Sequence, residues 1–290
     1  DQGDQGVAEG VLVDDYLLLQ ALGTGGTDIV GVQNLQHIGS GHTHSGTDAQ
    51  NHDGQDRDKQ VSSIVQQQLQ ALRSHRGIHH TRRRKPAQFQ SQQILQHIAK
   101  EEGTQNPFVG VINRLDQPVE GIVLFAKNAK AAAELSKQMQ NDSMQKYYLA
   151  AVFGHMDKEK DILTDYLEKD ARTNSSRVVS ATSKDAKKAM LEYNVIATVG
   201  KMQFVKIHLL TGRHHQIRVQ FSHRERPLIG DTKYGNDESM ALSREANAKT
   251  PALCAYKLIW KHPVSKKEMD IKITPEHPVL RGFYEAVKQD

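Results

Sequence analysis

From Leu17 to Gln88 the chain contains no phenylalanine, tyrosine or tryptophan. Aromatic side chains bury the largest surfaces and dominate cores, so a stretch without them has little to condense around. The same stretch is rich in Gln, His, Gly and Asp; Glu9 is the only Glu and Lys59 the only Lys before Lys85. Runs such as Gly39 to Gly46 and Gln66 to Gln68 have loop or low-complexity character. A break is therefore expected near residue 85, between an anomalous, largely irregular segment 1–84 and a folded domain 85–290. The upstream composition suggests a non-native reading frame. Two upstream pieces are expected to be ordered: Val11 to Leu22 as a strand or short helix, and Ser62 to Leu72 with helix-like spacing of Ile64, Val65, Leu69 and Leu72.

Downstream, apolar runs of strand length alternate with turns. Strands are expected at Val109–Ile112, Gly121–Ala126, Lys146–Phe153, Met190–Thr198, Gln203–Leu210, Leu253–Trp260 and Glu268–Ile273. Asn128 is suited to cap a helix over Ala129–Gln140 with Ala132, Leu135 and Met139 on one face. Arg213–Ser222 and Pro278–Val287 have helical patterns. Strands outnumber helices and short turns join neighbours, which predicts an α+β fold: a largely antiparallel mixed sheet with flanking helices.

Composition bears mainly on what is excluded. No apolar run approaches the roughly 18 residues that span a bilayer. The first residues lack the basic start and apolar stretch of a secretory signal, so a cytoplasmic location is expected. One cysteine, Cys254, permits neither an internal disulfide nor a Cys-based zinc cluster. The net charge of +4 suits a polyanionic partner without identifying one.

Four segments carry chemically useful groups. Asn113 to Gly121 places Arg114 and Asp116 in a loop between two apolar strands, where catalytic groups tend to sit. Alone, that pair reads more simply as a solvated turn. Gln145 to Gly154 is a strand in which Lys146, Tyr148 and Ala150 share one face while Tyr147 faces the other. Tyr148 offers a plane for stacking and a hydroxyl, although a core tyrosine is the commoner fate. Leu210 to Gln220 gathers donors where a helix begins, a natural place for an anion. If that segment is helical from Arg213, His214 and Arg218 share a face. Capping or exposure explains the two histidines better than metal binding. Arg226 to Gly235 is a shaped loop in which Asp231 reads as a structural turn acid.

In this order, Arg114-Leu115-Asp116, then Lys146 to Gly154, Thr211 to Arg218 and Gly230 to Gly235, the chain resembles the RluA-like family of RNA pseudouridine synthases. The resemblance runs from about Asn106 to the C-terminus and includes Leu258 to Pro263. Four ordered motifs are a specific signal. Asn113 stands where many members have His, residues 117–120 replace commoner small and hydroxyl residues, and His214 replaces a small one. The resemblance implies isomerisation of uridine to pseudouridine in structured RNA, ribosomal RNA ahead of transfer RNA, by a monomer without metal or other cofactor. It implies that Asp116 is the catalytic carboxylate, Tyr148 the active-site tyrosine and Arg218 the arginine that pairs with Asp116. Arg114, Arg213, His215 and Gln216 are assigned to substrate binding. Arg218 is expected to hold Asp116 ionised by lowering its pKa. The alternatives are a non-catalytic RNA-binding protein and the inactive product of a damaged gene.

Overall fold

A computed structural model describes residues 16–21 and 108–287. Among them, ten strands form one sheet and four helices flank it. The strands are β1 (Tyr16–Ala21), β2 (Gly110–Val111), β3 (Glu120–Ala126), β4 (Gln145–Phe153), β5 (Lys160–Asp170), β6 (Ser175–Val179), β7 (Lys187–Val199), β8 (Met202–Leu209), β9 (Leu253–Lys261) and β10 (Glu268–Lys272). The helices are α1 (Ala129–Gln140), α2 (Gln216–His223), α3 (Asp237–Glu245) and α4 (Pro278–Val287). The order across the sheet is β1-β3-β9-β4-β8-β7-β5-β6, with β10 on β9 and β2 on β3. Every pairing is antiparallel except β3 with β9. The expected α+β class, with a largely antiparallel mixed sheet, is the observed one.

The upstream apolar piece is the strand β1, paired with β3 from Tyr16↔Ala126 to Ala21↔Gly121. The expected helix near Ser62 lies outside the described residues. Helix α1 starts where Asn128 predicts it, with the Asn128 Oδ1 accepting from the Ala131 amide at 2.8 Å. Its inner face is the expected one, with Leu135 buried and Ala132 and Met139 packed against the same cluster, joined by Ala131 and by the buried Gln138. The Gln138 amide donates to the Lys261 carbonyl at 2.8 Å and accepts from the Lys261 amide at 2.9 Å, extending the edge of β9. Helix α2 begins three residues later than expected, so Arg213, His214 and His215 are not helical and the face shared by His214 and Arg218 does not arise.

Side-chain alternation along β4 divides the core. Leu149, Ala151 and Phe153 pack with Phe204, Tyr256 and Phe283 on the α4 side. Tyr148, Ala150 and Val152 pack with Ile207, Ile217 and Phe221 on the α2 side. The second face carries the functional residues, and strand periodicity alone decides which β4 side chains reach it.

Candidate active site

The Asp116 loop is fastened at both ends. Asn113 is buried; its Nδ2 donates to the Ile122 carbonyl at 3.1 Å and its Oδ1 accepts from the Leu124 amide at 2.7 Å. The side chain thus takes the place of a strand partner along β3, satisfying backbone groups that burial would otherwise orphan. At the other end the buried Val119 donates its amide to the Asp116 carbonyl at 2.6 Å. Gly121 follows at φ 140, and a Cβ there would lie 2.5 Å from the Ala255 Cβ. Only glycine allows β3 to approach β9 this closely in that conformation.

Arg218 enters from α2. The turn before the helix is tied by Gln216, whose Oε1 accepts from the Thr211 hydroxyl at 2.8 Å and the Arg213 amide at 2.9 Å, and whose Nε2 donates to the Met190 carbonyl at 3.0 Å. These bonds delay the helix. They also occupy the Gln216 amide, so the structure gives it an anchoring place in the turn. His215 is left at the helix start with φ 55 and ψ 24, a left-handed conformation uncommon outside glycine.

Arg218 pairs first with Asp231, not Asp116. Its Nε and Nη2 donate to the two Asp231 oxygens at 2.7 Å each, and both side chains are buried. Asp231 also accepts from the amides of Lys233 at 3.0 Å and Tyr234 at 3.2 Å. This two-pronged bond sets the guanidinium plane and is among the stronger side-chain pairings. The remaining nitrogen, Nη1, lies 3.9 Å from Asp116 Oδ2, and His215 Nε2 lies 4.0 Å from the same oxygen. Asp116 and Arg218 are therefore brought together, while the turn acid of the sequence, Asp231, proves to be the residue that orients Arg218.

The electrostatics differ from expectation. Burial raises the Asp116 pKa to about 6, against the lowering effect of Arg218 and with a further upward push from Asp231. Arg218 shares its charge with Asp231, so desolvation wins. At neutral pH the carboxylate is still mostly ionised. Burial, together with the charge of Arg218, depresses His215 to about 3, leaving it neutral. Tyr148 is buried on the α2 side, where burial and the Asp116 charge push its phenol well above the ordinary range. Its hydroxyl makes no hydrogen bond within the described residues.

One group with no assigned role in the sequence belongs to the site. Tyr234 bonds His215 Nδ1 through its hydroxyl at 2.7 Å, and its ring lies 5.0 Å from the Arg218 guanidinium carbon. Tyr234 stands in the last of the four motifs, but its contacts span up to 58 residues and have no local signature. Lys146, on the Tyr148 face of β4, is buried, and desolvation lowers its pKa. Arg114 is exposed and unpaired among the described residues. Arg213 is exposed too, with its Nε tied to the Lys188 carbonyl at 2.8 Å. Among the described residues no three His, Cys, Asp or Glu side chains converge to hold a metal ion.

Known proteins resemble this chain in sequence and in fold. The RNA pseudouridylate synthase family model matches residues 55–223. The ribosomal large subunit pseudouridine synthase C of Vibrio cholerae is 29% identical over 164 residues, 57% of this chain and 51% of that protein. The tRNA pseudouridine synthase C of Pasteurella multocida is 32% identical over 172 residues, 55% of this chain and 70% of that protein. An RNA pseudouridine synthase of Mycoplasma pneumoniae is 32% identical over 161 residues, covering 56% and 50%. The chain thus spans about half the length of the Vibrio and Mycoplasma relatives. The solved structure of human RNA pseudouridylate synthase domain containing 4 shares the fold, with a TM-score of 0.56 and 18% identity over 79% of this chain and 97% of that one.

Proposed function

The chain belongs to the RNA pseudouridylate synthase family, and from that premise we propose that it isomerises uridine to pseudouridine in structured RNA with Asp116 as the catalytic carboxylate. The observation that carries this reading is the convergence on one oxygen: Asp116 Oδ2 has Arg218 Nη1 at 3.9 Å and His215 Nε2 at 4.0 Å. The charge of Asp116 also acts on the buried phenol of Tyr148.

The reaction breaks the bond between C1′ of the ribose and N1 of uracil, turns the base, and joins C1′ to C5. One proton moves from C5 to N1, so no atom or electron is gained or lost. A base inside a helix is out of reach, so the target uridine is unpaired or flipped out at a cost of a few kcal/mol. Ionised Asp116 then acts as nucleophile on sugar or base, or as general base. Arg218, held by Asp231, keeps its free nitrogen against the carboxylate. Tyr148 packs against the uracil. Its phenol stays protonated while Asp116 is charged.

Relatives named for ribosomal and for transfer RNA support a structured RNA as the partner, with ribosomal RNA placed first. A monomer acting in the cytoplasm, with residues 85–290 as the catalytic domain, fits this role. Among the described residues no helix is long and apolar enough to cross a membrane. The test is Asp116→Asn, assayed by carbodiimide mapping of pseudouridine in RNA from cells that lack the gene. Product formation is expected to vanish while RNA affinity stays within about twofold of wild type. Near-normal turnover by that variant rejects Asp116. RNA binding without isomerisation by the wild type favours a non-catalytic RNA-binding protein.

A further inference from the structure

His215 is buried, non-glycine and left-handed, at φ 55 and ψ 24, and its side chain does not cap the helix it begins. Strain of this kind persists where the surroundings impose it, often at functional sites. Here two neighbours hold the ring, and a third residue holds them. Tyr234 meets Nδ1 through its hydroxyl at 2.7 Å. His214 stacks on the ring with centroids 3.7 Å apart. Ser176, in β6, fixes both neighbours: its amide donates to the Tyr234 oxygen at 2.9 Å, and its hydroxyl bonds His214 Nδ1 at 2.9 Å.

The proton positions follow. The Tyr234 oxygen already accepts from the Ser176 amide. Among the described residues the phenol proton has one acceptor in reach, His215 Nδ1. That assignment places the imidazole proton on Nε2, the atom 4.0 Å from Asp116 Oδ2. A small rotation of the Asp116 side chain closes that gap to hydrogen-bond length, as catalytic contacts often close when substrate binds.

We propose that Tyr234 and His215 are positioning residues for Asp116: Tyr234 holds the imidazole as the neutral tautomer protonated at Nε2, and that N–H steadies the ionised carboxylate. The inference rests on the reading of Asp116 as the catalytic group. The other groups around the carboxylate are Arg218 from α2, Tyr148 from β4, and Asp231 from the loop after α2. Around the imidazole stand Arg218, His214, Lys233 and Asp231. Two of those four, Arg218 and Lys233, are cations, and burial adds to their effect, which disfavours a charged ring and leaves a neutral donor as the stable state.

The test needs neither RNA nor turnover. Long-range proton–nitrogen correlation spectra of the wild-type chain are expected to show His215 uncharged and protonated at Nε2 from about pH 8 down to about pH 5, well below the ordinary histidine midpoint near 6.5. A proton on Nδ1, or a ring that charges near 6.5, overturns the proposal. Carbon-13 titration of the Asp116 carboxyl supplies the second readout. His215→Phe is expected to raise the Asp116 midpoint by about 1 unit, the tenfold effect typical of a hydrogen bond to a charged group. His215→Gln, whose amide nitrogen reaches the Nε2 position, is expected to restore it, and Tyr234→Phe to shift it in the same direction as His215→Phe. An unmoved midpoint in both Phe variants overturns the proposal. Should a variant not fold, the wild-type spectra still decide the tautomer. Near-normal turnover by Asp116→Asn rejects Asp116 as the catalytic group independently of these spectra.

Discussion

Asp116 shows how a largely buried acid is set against the stability of its own fold. Burial raises its pKa to about 6 in the folded chain from the ordinary 3.8. A carboxyl shifted upward contributes its stability below the unfolded pKa, and that contribution is lost as pH rises through the folded value. The Asp116 contribution to stability should therefore fall between about pH 4 and pH 6 and level off above. Asp116→Asn has no charge to bury. It is expected to be more stable than wild type at pH 7 by on the order of 2 kcal/mol, after allowance for the solvent that reaches a side chain 28% exposed. Below pH 4 the difference should vanish. Urea unfolding at pH 4 and pH 7 checks this, and a pH-independent difference contradicts it. The four ordered motifs made Asp116, Tyr148 and Arg218 legible in the sequence. The partner of Arg218 was not, because the choice between Asp116 and Asp231 depends on how the loop after α2 folds back.

Elements whose buried faces follow a simple period were legible, and those that depart from it were not. Helix α1 and strands β3, β4, β7, β8 and β9 fall close to where cap and alternation place them. Strand β5 escaped notice because its buried residues, Leu163 and Leu167, stand four apart and mimic a helix. Helix α3 escaped because its buried residues are Ser239 and Ser243. The Ser243 hydroxyl donates to the Ser239 carbonyl and accepts from the Gly230 amide, polar packing that no hydrophobic pattern announces. Glu120 belongs to the same class. In the sequence it is a departure from the family pattern; in the fold its buried carboxylate accepts from the amides of Glu276 and His277 at 3.0–3.1 Å, holding the entry to α4 from 157 residues away. Glu120→Ala leaves those amides unpaired and should cost about 3 kcal/mol. Hydrogen exchange should show lost protection at the start of α4 before the rest of the sheet. Protection unchanged there means that Glu120 does not fasten the helix.

At the scale of the molecule, the proposed RNA partner would meet a chain whose net charge is only +4. Binding therefore depends on particular exposed cations rather than a broad field. Arg114, two residues from Asp116 and unpaired among the described residues, is suited to hold a phosphate. Neutralising each phosphate contributes roughly 0.7–0.9 to the slope of log affinity against log salt. Arg114→Ala should flatten that slope by about this amount, and filter binding at several salt concentrations measures it. An unchanged slope removes Arg114 from the RNA contact.

Strand β9 contributes none of the groups assigned to chemistry, yet it lies between the strand that carries the Asp116 loop and the strand that carries Tyr148. It sets the gauge of the site the way a shim sets the gap between two tools. If Asp116 and Tyr148 act as proposed, variation along Leu253 to Lys261 retunes the reaction without touching a reacting atom. A change in catalytic rate that maps to this strand then reports spacing, not chemistry.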